Sequence, residues 1–181
     1  MNFSSYKFLK SIKSPEDIKP GLLPGYLFPK LIDFHKLAID PFDNNLIGGL
    51  CYYLRLSPYF YKPTRSKKPL DSLKRGFVKQ ILRPPQELNH YILKPKKSVV
   101  VQTAERIMVS KDLLIKIGVN PEFKKDFLGC VSNVLTHPEG SYIKPIRFSV
   151  CLTNFGERPI KLVPGSPLFS MIIEKLPYPV I

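Results

Sequence analysis

The amino-acid sequence predicts a mainly β protein, a barrel or sandwich of short strands with one or two short helices. Three observations carry this prediction. Apolar and β-branched residues recur at period two in several strand-length runs. The 19 prolines and 10 glycines punctuate the chain between those runs. Only Asn120, followed by Pro121, opens a stretch with a clear helix start. At 181 residues, 44% of them hydrophobic, the chain suits one domain with a sizeable core.

The elements follow in order. "MNFSSYKFLKSIKS" interleaves Phe3, Tyr6, Phe8, Leu9 and Ile12 with Lys7, Lys10 and Lys13 and contains no acid. It resembles an organelle-targeting helix but lacks arginine, and reads as a retained, docked arm. Pro15, Pro20, Pro24 and Pro29, with Gly21 and Gly25, then exclude a long helix. An extended segment is expected there, whose Leu22, Leu23, Tyr26, Leu27 and Phe28 need a surface to cover them, with a partner as one source. Residues 1–38 therefore read as an extended basic, proline-rich arm.

In "LIGGLCYYLRLSPYFY", Leu50, Tyr52, Leu54 and Leu56 alternate with Cys51, Tyr53 and Arg55, as in a half-buried strand. A basic insertion over 62–97 follows. It holds Lys62, Arg65, Lys67, Lys68, Lys74, Arg75, Lys79, Arg83, Lys94, Lys96 and Lys97, eleven cations against Asp71 and Glu87. Within it, "LDSLKRGFVKQIL" has the spacing of a basic amphipathic helix. Strands are then expected at "KSVVVQTAERIMV" and "DLLIKIGV", a short helix from Pro121 closed by Gly129, and strands at "GCVSNVL", "IRFSVCLTN", "IKLV" and "LFSMIIEKL". Asn154-x-Gly156 and Pro164-Gly165 read as structural turns. The body of the domain is 39–176, with 177–181 as a short tail.

No run of about 18 apolar residues occurs, so no spanning helix is expected. Cys51, Cys130 and Cys151 lie in apolar surroundings without a CxxC pair, which indicates neither a disulfide framework nor a zinc knuckle. They read as buried small hydrophobes in a reducing compartment. His35, His90 and His137 share no metal-ligand spacing. His137-x-Glu139 lacks the downstream Pro-Cys-x-x-Cys of zinc deaminases and reads as part of a proline turn. Nucleophile-elbow, Walker A and dinucleotide fingerprints are absent from the sequence, and no metal or cofactor is expected. The net charge of +14 favours a polyanionic partner, and the insertion carries most of the excess. Tyr52, Tyr53, Tyr59, Phe60 and Tyr61 run into those cations, although strand alternation must turn about half of the rings into the core.

Several stretches resemble, in order, the dCTP deaminases, which share a trimeric fold with the dUTPases. "IDPFDNNLIGGLCYYLRLS" is similar to the family's acidic-Phe-Asp segment followed by Asn-Pro-x-Ser-Tyr-Asp-Leu-Arg-Leu-Gly. "LKPKKSVVVQTAERIMVSKDL" is similar to its Leu-x-Pro-Gly-Glu strand and Thr-x-Glu, and "YIKPIRFSVCLTNFGERPIKLVPGSPLFSMIIEKL" to its closing hairpin. The resemblance implies a distorted dUTPase-like β-barrel with active sites between the subunits of a trimer. It also implies a general-base glutamate on the strand before the Asn-x-Gly turn, where this chain has Cys151.

A neutral thiol cannot replace a carboxylate as water-activating base, and a small apolar residue at an inward position is the expectation for Cys151. The family's Gly-Arg-Ser-Ser falls near Gly118-Val119-Asn120-Pro121; Lys124 or Lys125 could imitate a phosphate contact, but a solvated helix face is the expectation for them. Its Ser and Asp of Ser-Tyr-Asp fall on Cys51 and Tyr53. Its glycine-glutamine pair falls on Phe169-Ser170, so a bulky ring is expected where nucleotide would approach backbone. Its Asp-Pro-Gly-Phe falls on Lys144-Pro145-Ile146.

The expectation is a non-catalytic dUTPase-fold protein. It would bind RNA and neighbouring proteins in a large ribonucleoprotein, an organellar ribosome being the first choice and a virion or respiratory assembly the others, in the mitochondrial matrix. The alternative is an active, divergent dCTP deaminase or dUTPase drawing on Glu105, Glu122, Asp126 or Glu139. A third is a nucleotide sensor that binds without turnover.

Overall fold

A computed structural model describes residues 11–63, 82–124, 128–130, 134–136 and 144–179. Among them the chain forms antiparallel sheets around one hydrophobic cluster. It begins with β1 (Gly21–Leu23), helix α1 (Phe28–Asp33) and β2 (Leu37–Asp40). Then come β3 (Tyr52–Leu54), β4 (Leu56–Tyr61), β5 (Gln86–Glu87) and β6 (Tyr91–Leu93). The central strands are β7 (Ser98–Thr103), β8 (Arg106–Val109) and β9 (Leu113–Val119). Helix α2 (Pro121–Lys124) leads to β10 (Leu128–Cys130) and β11 (Val134–Thr136). The chain closes with β12 (Ser149–Asn154), β13 (Ile160–Leu162) and β14 (Phe169–Lys175).

One sheet runs β1-β14-β9-β11 with β3 also on β14, and the other runs β10-β12-β7-β4-β5. Two further two-stranded sheets are β13-β6 and β2-β8. The period-two reading holds in β9, where Leu113, Ile115, Ile117 and Val119 are buried and Lys116 is exposed. It holds for Tyr52, Leu54 and Leu56, which face inward while Cys51, Tyr53 and Arg55 remain half-exposed, but not for Leu50, which precedes β3 and is exposed. Of the aromatic run, Tyr52 and Phe60 are fully buried.

The surface that covers the N-terminal segment is the chain's own. β1 pairs with β14 in the register Leu23↔Ile173, and Leu22 is 51% exposed where Leu23 is 3%. Ile12, Ile18, Leu27, Phe28 and Leu31 belong to the same buried cluster as the strands. Residues 12–38 therefore share the barrel's core, with no packing break at 38/39. Proline and glycine cut this stretch into pieces too short for a long helix, and backbone pairing with β14 lets alternate apolar side chains enter the core.

The basic insertion is interrupted in its turn. From Gln86 onward the chain rejoins the sheets, β5 on β4 and β6 on β13. Pro63 and Leu82 form an antiparallel bridge, and the Arg83 N–H donates to the Lys62 carbonyl at 2.9 Å. The expected amphipathic helix over 70–82 lies outside the described residues except for Leu82. The run "KSVVVQTAERIMV" divides into β7 and β8 at Ala104-Glu105.

Candidate functional site

Three of the positions singled out by the resemblance lie side by side. In the first sheet Ser170 of β14 is opposite Tyr53 of β3 on one side and Gly118 of β9 on the other. All three are half-buried, on the face away from the core. The Cys51 thiol hydrogen-bonds the Tyr53 hydroxyl, and this contact, more than desolvation or the nearby Glu122, pushes the Tyr53 phenol above its ordinary range. Tyr53 is therefore a proton-bearing donor at neutral pH, not a base. Burial likewise pushes the Cys51 thiol up.

Phe169 corrects one expectation. Its ring is fully buried in the core, and Ser170 presents the site face. Strand alternation explains the difference, because the position next to a site residue on β14 must point inward. The same rule corrects Cys151: Val150 and Leu152 are buried and pair with Val101 and Val99, so Cys151 is half-exposed on the outer face of β12. A partly exposed, outward side chain can meet a ligand or a neighbouring subunit.

Asn120 is committed to structure. Its Oδ1 accepts the Glu122 N–H at 3.1 Å and its Nδ2 donates to the Pro167 carbonyl at 2.9 Å, so it caps α2 and pins the turn before β14. Of the four proposed carboxylates, Glu105 is committed as well. It is completely buried, with Oε1 2.7 Å from Arg55 Nε and Oε2 2.9 Å from the Arg55 N–H. This pair, together with the Ala104 N–H donating to the Arg55 carbonyl at 2.8 Å, forces the turn that separates β7 from β8. The Glu105 contact holds the Arg55 guanidinium above its ordinary value. Asp126 and Glu139 lie outside the described residues, as does His137, which leaves exposed Glu122 beside the Tyr53 row. Among the described residues no group of three or more His, Cys, Asp or Glu is placed to hold a metal ion, and no helix is long and apolar enough to cross a membrane.

No protein-family model matches the chain. It is 26% identical over 153 residues to a dCTP deaminase, dUMP-forming, of Streptomyces avermitilis, covering 82% of this chain and 76% of that protein. A protein of the same description from Mycolicibacterium vanbaalenii is 28% identical over 149 residues, covering 80% and 75%. A crystal structure of 2'-deoxycytidine 5'-triphosphate deaminase from Agrobacterium tumefaciens superposes with a TM-score of 0.66 at 14% identity. That superposition covers 87% of this chain, which spans about half (49%) of the solved one. The chain belongs to the dCTP deaminase and dUTPase superfamily.

Within that superfamily fold, the cations singled out by the sequence divide in two. Arg65, Lys67, Lys68, Lys74, Arg75 and Lys79 lie outside the described residues. Lys62, Arg83, Lys94, Lys96 and Lys97 come together around one open groove of about 670 Å³, together with Tyr91. Lys62 Nζ lies 5.6 Å from the centroid of the Tyr91 ring, whose neighbour Phe60 stacks on it at 5.2 Å. The β6–β7 turn that carries Lys94 to Lys97 is held by Asn154, which is fully buried. Its carbonyl accepts the Lys96 N–H at 2.9 Å, its N–H donates to the Lys97 carbonyl at 3.1 Å, and its Nδ2 donates to the Leu93 and Arg158 carbonyls. Asn154 reads from sequence as a turn residue, but its second task, fixing a turn 57 to 60 positions upstream in sequence, had no local signal. Tyr91 was missed for the same reason, since its partners Phe60 and Lys62 lie 31 and 29 positions upstream in sequence.

Proposed function

We propose that this chain acts on pyrimidine deoxynucleotides, converting dCTP to dUMP, the reaction for which its Streptomyces and Mycolicibacterium relatives are named. The support is the match to those relatives, which extends over about four-fifths of the chain. The conversion exchanges the 4-amino group of cytosine for oxygen and cuts the triphosphate after its first phosphorus. It consumes two waters and releases ammonia and pyrophosphate. Exchange at the ring needs a group that takes a proton from water within hydrogen-bond reach. With Cys151 on β12 and Glu105 bound to Arg55, Glu122 is the described one of the four candidate carboxylates left for that role, with Tyr53 as a proton donor beside it. Incubation of the purified chain with dCTP or dUTP and magnesium, followed for ammonia, pyrophosphate and dUMP, tests the reading. Turnover that disappears in Glu122→Gln is the expected result. Absence of all three products at high protein concentration overturns it.

A second reading is favoured by Cys151 occupying the position where the resemblance implies a glutamate. In it the chain is a binding subunit without turnover, within an assembly such as an organellar ribonucleoprotein. Calorimetry with the same nucleotides, and sizing of the native complex with and without ribonuclease, distinguish a nucleotide sensor from a subunit of an RNA-containing particle.

A further inference from the structure

We propose that the groove lined by Lys62, Arg83, Lys94, Lys96, Lys97 and Tyr91 binds a single strand of nucleic acid, with consecutive phosphates on the cations and a base against the tyrosine. The inference stands whether or not the chain turns over deoxynucleotides, because none of these residues belongs to the Tyr53–Ser170–Gly118 row. Three observations carry it.

The first is charge. Among the described residues, five cations and no acidic side chain line the concavity. Like charges held around one hollow repel each other, and an anion in the hollow reverses the sign of that energy. The second is Lys96. Its backbone φ is 55°, in the left-handed region that glycine adopts without cost. The Leu-x-Pro-Gly-Glu pattern that this turn resembles has glycine at that position and an anion at the next. Here Lys96 and Lys97 replace them, so the turn carries two cations, one of them on a backbone conformation that opposes any side chain. Lys96 Nζ donates to the Phe155 carbonyl at 2.6 Å. The third is Tyr91. Its stack on Phe60 at an interplanar angle of 17° holds the ring rigid, and Lys62 stands over it. A fixed aromatic ring beside a track of cations provides stacking and phosphate neutralisation together, as single strands require. A planar anionic membrane would not enter the concavity, and an acidic peptide would leave the ring unused.

The test uses the full chain and fluorescein-labelled oligouridylate and oligodeoxythymidylate, titrated at several potassium chloride concentrations. Binding is expected to weaken with a slope of log K on log salt of about −2 to −3.5, as about −0.7 per neutralised phosphate gives for three to five contacts. The groove variant Lys62→Ser/Arg83→Ser/Lys97→Ser should bind at least about tenfold more weakly, with the slope reduced by about 2. Lys19→Ser/Lys30→Ser/Lys144→Ser, which loses the same charge elsewhere, should bind like the unmodified chain. Lys96→Gly separates binding from folding: it should weaken the strand while leaving the thermal midpoint unchanged or higher. Equal binding by the two triple variants overturns the proposal. So does displacement of the strand by dCTP or ATP at equimolar phosphate, which would mark a site for a small triphosphate. Groove-dependent binding to phosphatidylserine vesicles without binding to either oligonucleotide also overturns it.

Discussion

Replacing Glu105 by glutamine changes one atom and should remove a large part of the stability of the domain. Glu105 is fully buried and both of its oxygens are taken, Oε1 by Arg55 Nε at 2.7 Å and Oε2 by the Arg55 N–H at 2.9 Å. Glutamine keeps the shape but offers one acceptor and one NH₂ group. Whichever way the amide is turned, its NH₂ faces a donor that had an acceptor, and the guanidinium loses its counter-charge. Removing one partner of a buried ion pair costs about 3–5 kcal/mol. The Arg55 side chain is 28% exposed, so water recovers part of the loss and the lower end, about 3 kcal/mol, is expected. Against a total of about 5–15 kcal/mol that is a fifth to more than half of the folding free energy. For a chain of this length it corresponds to a fall in Tm of about 6–12 °C. With a urea m-value near 2 kcal/mol per molar, the midpoint should drop by about 1.5 M at unchanged m. A drop below about 0.5 M would refute the structural role given to this pair. If Glu105 were instead a catalytic carboxylate, Glu105→Gln would abolish turnover and leave the urea curve in place.

Three further outcomes are expected. His35, which follows α1 with φ at 55° and donates its N–H to the Ile32 carbonyl at 2.9 Å, is exposed, so His35→Gly should relieve left-handed strain and raise stability by up to about 1 kcal/mol, read as a higher Tm. A Cβ on Gly25 would lie 2.1 Å from the Gly48 carbonyl oxygen, so Gly25→Ala should cost about 1–3 kcal/mol in urea unfolding, whereas Gly49→Ala, with open space around it, should stay within about 0.5 kcal/mol. At Asp112 burial alone would raise the pKa, but hydrogen bonds from the Ser110 hydroxyl and the Lys36 ammonium outweigh it and hold the carboxyl below its ordinary range. A depressed folded-state pKa contributes stability above the unfolded value of about 3.9 that is lost as pH falls through the folded one. Urea midpoints measured from neutral pH down to about pH 2 should show Asp112→Asn less stable near neutrality and flatter in the acid limb; parallel curves would contradict the assignment.

The strands were legible because their signal is local. In β9 every second side chain is apolar, and nothing beyond the run itself is needed to orient it. The cap of α2 was equally local, Asn120 before Pro121 with the Glu122 N–H on its side-chain oxygen, although the described helix ends at Lys124 and β10 already starts at Leu128, before the expected stop at Gly129. What could not be read was decided by distant partners. The apolar residues of the N-terminal segment announced that they would be covered, but β14, which covers them, lies some 150 residues later. The resemblance located Cys151 and Phe169, yet their facing depended on the phase of each strand. Val150 and Leu152 turn Cys151 outward, and Phe169 turns into the core. In the basic segment the charges were evident and their convergence was not. Lys62 and Arg83 meet Lys94, Lys96 and Lys97 only because β4, β6 and β7 bring their ends to one rim.

The bridge between Pro63 and Leu82 has a consequence for how this chain could change over time. It brings positions 63 and 82 together between elements with pairings of their own, β4 with β7 on one side and β6 with β13 on the other. Doubling the length of a chain that joins two such fixed points costs only about 0.6 kcal/mol in closure entropy. Between these two positions sequence can therefore be added or removed at little expense in closure entropy, and a new partner could be acquired without redesigning the strands on either side.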